Sequence, residues 1–281
     1  MLFRSLFQFG RTTTDKKEVK PSAPAREEWG NTVLSFDTLL TLSKKRMSPG
    51  LLAQVEKKEA EILSSKDKNQ QIEGYRWLAR VWMDSIGVFV PFAKYTAESA
   101  KLENSEKNLN FAAQLLLDEV LSVQEKPLQV WMAKEARTLF ERQLQLNPNS
   151  DSAKIGLGSC YFFGAAKEGE PPMQGVMLIR EIAERDPNNA YAQRMLGVGA
   201  AISGQKEKAI ERFLNVYRLE PDNMDVLLRL ANIYEETGNK TEAKKWYQEL
   251  VNVIRRLEKE KKFRSEEHTS ELQSPCNLVC R

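Results

Sequence analysis

Apolar residues recur along most of this chain at the three- and four-residue spacing that is typical of amphipathic helices. Between about residues 69 and 263, two local patterns alternate. In the first, a bulky residue precedes a small one and an apolar or aromatic residue follows three positions later, as in Leu230-Ala231 with Tyr234. In the second, a small residue is followed four positions later by an aromatic one, as in Ala243 with Tyr247. Each pair of patterns predicts a helical hairpin, because two helices cross closely only where one of them lacks a large side chain.

Three prolines give the length of the repeat. Pro148, Pro187 and Pro221 each follow an amphipathic segment, and they are separated by 39 and 34 residues. An interval of 34 residues accommodates two helices and a tight turn, and Gly204 and Gly238 lie where a left-handed residue ends the first helix. The longer interval predicts a surface insertion between two helices, which repeat proteins tolerate.

The same patterns continue upstream in weaker form, so we predict five hairpins from about residue 69 to residue 263. Ser48-Pro49 is typical of the cap and first turn of one more helix, from Gly50 to Leu63. Residues 48–263 therefore form the repeat domain, and residues 6–47 form a flexible tether and N-terminal segment. The tether prediction depends on residues 12–28, which combine proline, threonine and charge with almost no large apolar side chains.

Both chain ends resemble the translation of a sequencing-library adapter. Residues 264–281 read RSEEHTSELQSPCNLVCR, and residues 1–5 read MLFRS. We interpret both segments as artefacts that lie outside the natural fold. This interpretation removes the single histidine, His268, and two of the three cysteines, Cys276 and Cys280, from consideration as metal ligands.

The repeat region resembles the tetratricopeptide repeat family, and the stretches AKIGLGSCYFFG and AQRMLGVGAAISGQKEKAIERF resemble a bacterial branch of it. The resemblance implies an all-α fold, a right-handed solenoid of about five hairpins with an extra N-terminal helix. It also implies that proteins or peptides bind in a concave groove lined by the first helix of each hairpin, called helix A here, with helix B as the second. The family shares no catalytic residues, so none is transferred to this chain.

Charge and chemistry give no sign of a catalytic site. The 42 basic and 39 acidic side chains leave a net charge of +3, a balance that argues against a nucleic-acid partner. Cys160 lies within a predicted helix A without an activating charge, so we interpret it as a small buried residue. We therefore predict a protein that is not an enzyme, with no catalytic, cofactor-binding or metal-binding residues and no cofactor.

Candidate partner-binding residues follow from helical phase and the family register. A mixture of apolar, aromatic and arginine side chains on the A helices suits the binding of a peptide. An aromatic cluster at residues 77–95 is interpreted as core packing, with a second binding patch as the alternative. The predicted binding residues are Arg80, Phe162, Tyr191, Arg194, Val198, Leu228 and Asn232.

These features predict a non-catalytic scaffold that binds a protein or peptide on its concave face, in a bacterial envelope assembly. Residues 6–10 carry three large apolar side chains directly before Arg11 and the polar tether, an order typical of chain just beyond a membrane-spanning helix. Members of the bacterial branch are often tethered in this way, so we expect membrane contact through a missing N-terminal anchor. The alternatives are a cytoplasmic regulatory adaptor of the same fold and an enzyme with an unrecognised site.

Overall fold

The computed structural model describes residues 36–164, 171 and 173–273, with side chains through residue 261. Within these residues the chain forms helices and no β-strand. A π-helical segment, Val81–Ile86, extends the third α-helix. The α-helices are α1 (Phe36–Lys44), α2 (Pro49–Ser64), α3 (Lys68–Arg80), α4 (Phe89–Glu103), α5 (Glu106–Val120), α6 (Lys126–Leu146), α7 (Asp151–Phe162), α8 (Met173–Arg185), α9 (Ala190–Ile202), α10 (Lys206–Leu219), α11 (Met224–Glu236) and α12 (Lys240–Gln273).

Helices α3 to α12 form five successive hairpins, as the repeat predicts. Four hairpins pack as helix pairs: hairpin 1 is α3/α4, hairpin 2 is α5/α6, hairpin 4 is α9/α10 and hairpin 5 is α11/α12. In hairpin 3, the start of α8 meets α7, because a Cβ added at Gly175 would lie 2.4 Å from the carbonyl oxygen of Gly158. The all-α fold with about five hairpins and an N-terminal extra helix is confirmed.

The chain divides into two compact units at the start of α8. The first unit ends at Gly175 and holds hairpins 1 and 2 with α7. The second begins at Val176 and holds hairpins 4 and 5. Each unit contains consecutive helices that pack on their sequence neighbours.

Short polar residues and glycines set the ends of the helices. The Ser48 hydroxyl caps α2, which confirms the predicted start of that helix. The Asn189 side chain accepts from the Ala192 amide at 3.0 Å to cap α9. Gly204 and Gly238 follow α9 and α11 with φ of +75° and +78°, a left-handed backbone that glycine adopts without a Cβ penalty. The register predicted for hairpins 4 and 5 is therefore correct.

Glycines make room for aromatic rings where helices cross. A Cβ added at Gly197 in α9 would lie 2.7 Å from Cε1 of Phe213 in α10. In the first unit, a Cβ at Gly156 would lie 2.2 Å from Cζ of Phe140. Both rings are fully buried. Adding one methyl group at either glycine would therefore force the two helices apart.

Helices α1 and α2 pack on hairpins 1 and 2 through polar and aromatic contacts. Lys44 Nζ lies 2.6 Å from Glu59 Oε2, and the Tyr95 hydroxyl donates to Glu59 Oε1 at 2.5 Å. Burial, and then this hydrogen bond to a carboxylate, raise the pKa of Tyr95. Phe36 stacks on Trp131 of α6 with 5.5 Å between the ring centroids. Helix α1 therefore extends the fold into residues 36–44, a helix that the sequence patterns did not predict.

The aromatic cluster at residues 77–95 lies in the core of the first unit. Trp82 and Tyr95 are buried in one cluster, and Trp77 and Phe92 pack against it while partly exposed. Phe89 meets Phe92 edge-on, with centroids 5.9 Å apart. Core packing is therefore the interpretation that the structure supports for these rings.

Several predicted segments lie outside the described residues. They are residues 1–5 and 6–35, the inserted turn at 165–170, and residues 274–281. The side chains of His268, Cys276 and Cys280 also lie outside them. Helix α12 continues to Gln273, ten residues into the segment that we interpret as adapter. That interpretation stays a prediction.

Candidate partner-binding surface

Helices α9 and α11 are the A helices of hairpins 4 and 5, and they present equivalent positions on one surface. Tyr191 and Arg194 of α9 lie 34 residues before Asp225 and Leu228 of α11. The caps at Asn189 and Asn223 start the two helices in the same phase. The α9–α11 surface is defined here by the half-buried Tyr191, Arg194, Asp225, Leu228 and Arg229 and by the exposed Asn232, Glu235 and Glu236.

Two arginines share one carboxylate at the N-terminal end of this surface. Arg194 Nη1 lies 3.4 Å from Asp225 Oδ2, which joins α9 to α11. Arg229 Nε donates to both oxygens of Asp225, at 3.0 and 2.9 Å. Burial alone would raise the pKa of Asp225, but the two guanidiniums outweigh it and hold that pKa below its ordinary value. Asp225 is therefore charged at neutral pH and fixes both arginines.

An aromatic ring supports the same cluster. The Arg194 guanidinium lies over the ring of Tyr191, 5.6 Å from its centroid. A cation over an aromatic face is attracted by about 0.5–1 kcal/mol at partly exposed sites. Arg194 thus contacts a ring within its own helix and a carboxylate on the next A helix.

The C-terminal end of the surface is acidic. The Tyr247 hydroxyl of α12 lies 2.7 Å from Glu235 Oε2 and 2.8 Å from Asn232 Oδ1. Partial burial, followed by the hydrogen bond to Glu235, raises the pKa of Tyr247 to about 12. Glu236 pairs with Lys206 at 3.1 Å. The surface therefore has a cationic cluster at one end and carboxylates at the other.

The geometry of these hairpins agrees with a family match. Residues 200–255 match the family model described as the tetratricopeptide repeat. They run from the end of α9 through α10 and α11 into α12, where a helix A, a left-handed glycine turn and a helix B follow in order. Residues 200–255 are therefore tetratricopeptide repeats.

The solved structures to which this chain is similar include MamA and YrrB. A crystal structure of MamA is 17% identical, with 68% of this chain and 96% of that chain covered and a TM-score of 0.39. MamA from Desulfovibrio magneticus RS-1 is 18% identical, with 67% of this chain and 96% of that chain covered and a TM-score of 0.39. YrrB, a TPR protein with an unusual peptide-binding site, is 16% identical, with 69% of this chain and 90% of that chain covered and a TM-score of 0.36. Among curated proteins, none matches the chain. The tetratricopeptide repeat assignment of residues 200–255 therefore depends on the family model and the helix packing.

One of the predicted binding residues is misplaced. Val198 is 1% exposed, so the prediction that it lies on the binding surface is wrong. Helix α9 is apolar around most of its circumference. Neighbouring helices therefore bury more of it than the single apolar stripe of an amphipathic helix, and Val198 lies in the buried part. Asn232, at the equivalent position of α11, is polar and exposed. The buried residues of α9 are Ala192, Gln193, Met195, Gly197 and Val198.

Two predicted binding residues belong to the first unit, whereas the α9–α11 surface belongs to the second. Arg80 is exposed at the C-terminal end of α3. Phe162 is half-buried at the end of α7, and the adjacent Phe163 is buried instead. Within the second unit, the structure brings together Tyr191, Arg194, Leu228 and Asn232, and a binding role for Arg80 and Phe162 stays a prediction.

Asp225 and Arg229 belong to the surface, although helical phase alone does not select them. The 34-residue interval could have identified Asp225, since it is the equivalent of Tyr191. Arg229 follows Asp225 by four positions, which places the two side chains on one helix face. The four-residue spacing of this acid–arginine pair therefore indicates, in the sequence itself, an ion pair on the same face as Leu228.

Cysteine and metal chemistry add no site within the described part of the chain. Cys160 is buried, its thiol donates to the Gly156 carbonyl oxygen at 3.2 Å, and burial raises its pKa. The interpretation of Cys160 as a buried residue is confirmed. In the same described residues, no three His, Cys, Asp or Glu side chains are grouped to hold a metal ion.

Proposed function

We propose that this repeat protein is a scaffold that binds a protein or peptide segment on the α9–α11 surface. Repeats of this fold are interaction modules. The observation that carries the proposal is the Arg194–Asp225–Arg229 cluster, which joins two successive A helices beside Leu228. It places arginine, aromatic and apolar side chains side by side, the composition that dominates binding energy in protein interfaces.

The surface is held in place before a partner arrives. Arg194 is fixed by Asp225 and by the ring of Tyr191, and Arg229 is fixed by two bonds to the same carboxylate. Immobilising a flexible side chain on binding costs about 0.5–1.5 kcal/mol. Side chains that are already ordered avoid much of that cost, so this arrangement favours recognition of a partner.

We also propose that the scaffold works in a bacterial envelope assembly, tethered through a segment upstream of Leu6. The support is the resemblance to a bacterial branch with tethered members, together with the apolar residues before Arg11. Among the described residues, no helix is both long and apolar enough to cross a membrane. The tether proposal therefore concerns the natural gene product only.

Replacing Leu228 with glutamate is expected to abolish capture of the natural partner. A carboxylate at this half-buried position would meet the apolar part of the partner and lose its hydration. The measurement is affinity capture from native cells that express the intact gene, after separation of membrane and soluble fractions. We expect one protein to be captured from the membrane fraction by the wild type and not by Leu228→Glu.

The matched control is Val251→Glu, at an apolar residue of α12 that is 38% exposed and off the A-helix surface. It should capture the partner as the wild type does, and both variants should keep the wild-type melting temperature. Equal loss in both variants, or equal capture by both, would contradict the proposed surface. Recovery of the intact protein in the soluble fraction alone would contradict the tether.

A further inference from the structure

We propose that the segment bound on the α9–α11 surface is dipolar, with an acidic side chain at one end and a basic one at the other. This inference rests on the proposed function and adds the charge pattern of the partner. It follows from the order of side chains along one face of α11. Asp225, Leu228, Asn232 and Glu235 recur at three- and four-residue intervals, so they form one stripe.

The N-terminal end of the stripe attracts a carboxylate. The formal charges of Arg194, Asp225 and Arg229 sum to +1, and all three side chains are only 19–25% exposed. A guanidinium carries five N–H donors in a planar fork that matches a carboxylate, and partial burial strengthens the attraction. An acidic side chain of the partner would therefore be attracted to this pair of arginines.

The C-terminal end of the stripe attracts a cation. Glu235 and Glu236 end α11, and with Lys206 their formal charges sum to −1. The Glu236 side chain is 62% exposed, and the Tyr247 hydroxyl holds Glu235 in position. A lysine or arginine of the partner would lie beside two carboxylates here. It would lie at the opposite end of the stripe from Arg229.

The two ends are spaced for a short extended segment. Arg229 and Glu235 are six residues apart on α11, which corresponds to about 9 Å along the helix axis. An extended chain advances about 3.3 Å per residue, so roughly three residues of the partner cover this distance. Leu228 and Asn232 lie between Asp225 and Glu235 and offer one apolar and one hydrogen-bonding contact.

Uniformly charged segments fit this surface less well. A purely acidic segment would meet Glu235 and Glu236, and a purely basic one would meet Arg194 and Arg229. Like charges placed together across an interface disfavour the wrong partner. The surface therefore selects both the presence and the spacing of two opposite charges.

A displayed library of random dodecapeptides tests the inference with the full chain as bait. The key variant is Glu235→Arg combined with Glu236→Arg, which makes both ends of the surface basic. The matched control is Glu207→Arg with Glu211→Arg, which changes net charge equally at exposed positions of α10. We expect the wild type and the control to enrich peptides with an acid and a base about three residues apart.

The charge-reversed variant should instead enrich uniformly acidic peptides. A synthetic peptide from the wild-type selection should bind it about tenfold more weakly, the effect of losing one favourable charge contact. Enrichment of the same sequences by the wild type and this variant would overturn the dipolar inference. If Leu228→Glu enriches the wild-type sequences, or if the wild type enriches none over a blank matrix, the proposed function itself fails.

Discussion

Replacing Phe213 with alanine is expected to lower the free energy of unfolding of the second unit by about 3–5 kcal/mol. The Phe213 side chain is fully buried, and its ring lies against Gly197 at the crossing of α9 and α10. Truncation removes the ring from an apolar site and leaves a cavity. Because the backbones of α9 and α10 are already close at this crossing, the two helices cannot move together to fill it. Denaturant unfolding followed by circular dichroism measures the loss.

Ile202→Ala is the control for this substitution, because Ile202 belongs to the same hairpin and is 52% exposed. An exposed side chain without special contacts changes stability by less than about 0.5 kcal/mol. A Phe213→Ala protein that unfolds at the same denaturant concentration as Ile202→Ala would show that the crossing does not hold hairpin 4 together.

Replacing Gly197 with leucine is expected to destabilise the second unit by about 1–3 kcal/mol, because the added side chain overpacks the crossing. The Cβ alone would lie 2.7 Å from the Phe213 ring. The ring is the obstacle, so removing it should make room for the leucine. In the Phe213→Ala background, Gly197→Leu should therefore lower the free energy of unfolding much less than it does in the wild type.

Gly50→Leu serves as the matched control, since no heavy atom lies within 4 Å of a Cβ at Gly50 in the first turn of α2. That change should be neutral or stabilising, because glycine is a poor helix former. Additive effects of Gly197→Leu and Phe213→Ala would mean that the two residues are not in contact, and the assigned register would then be wrong.

The hairpins could be predicted from the sequence because their determinants are local. The small residue and the ring that meet at a crossing, such as Gly197 and Phe213, lie within one hairpin and recur at a fixed interval. Helix α1 could not be predicted in this way. Phe36 gains its packing from Trp131 in a distant hairpin, and that contact leaves no periodic signal in residues 36–44.

The binding surface was only partly predictable for a related reason. Helical phase identified Tyr191, Arg194, Leu228 and Asn232 as candidates, and the structure brings these four onto neighbouring A helices. Phase alone does not show how much of a helix its neighbours cover, which is why Val198 was misplaced. Asp225 joins α11 to α9 through its ion pair with Arg194, and this contact between two helices exists only after folding.

Site-specific photo-crosslinking in living cells tests the central claim most directly. A benzoylphenylalanine at Asn232, which is exposed on the α9–α11 surface, should crosslink to one partner protein when the intact gene is expressed. The same photoreactive residue at Thr241, exposed on α12, should give no such product. Crosslinks to the same protein from both positions, or from Thr241 alone, would contradict the claim that partners bind on the A helices of hairpins 4 and 5.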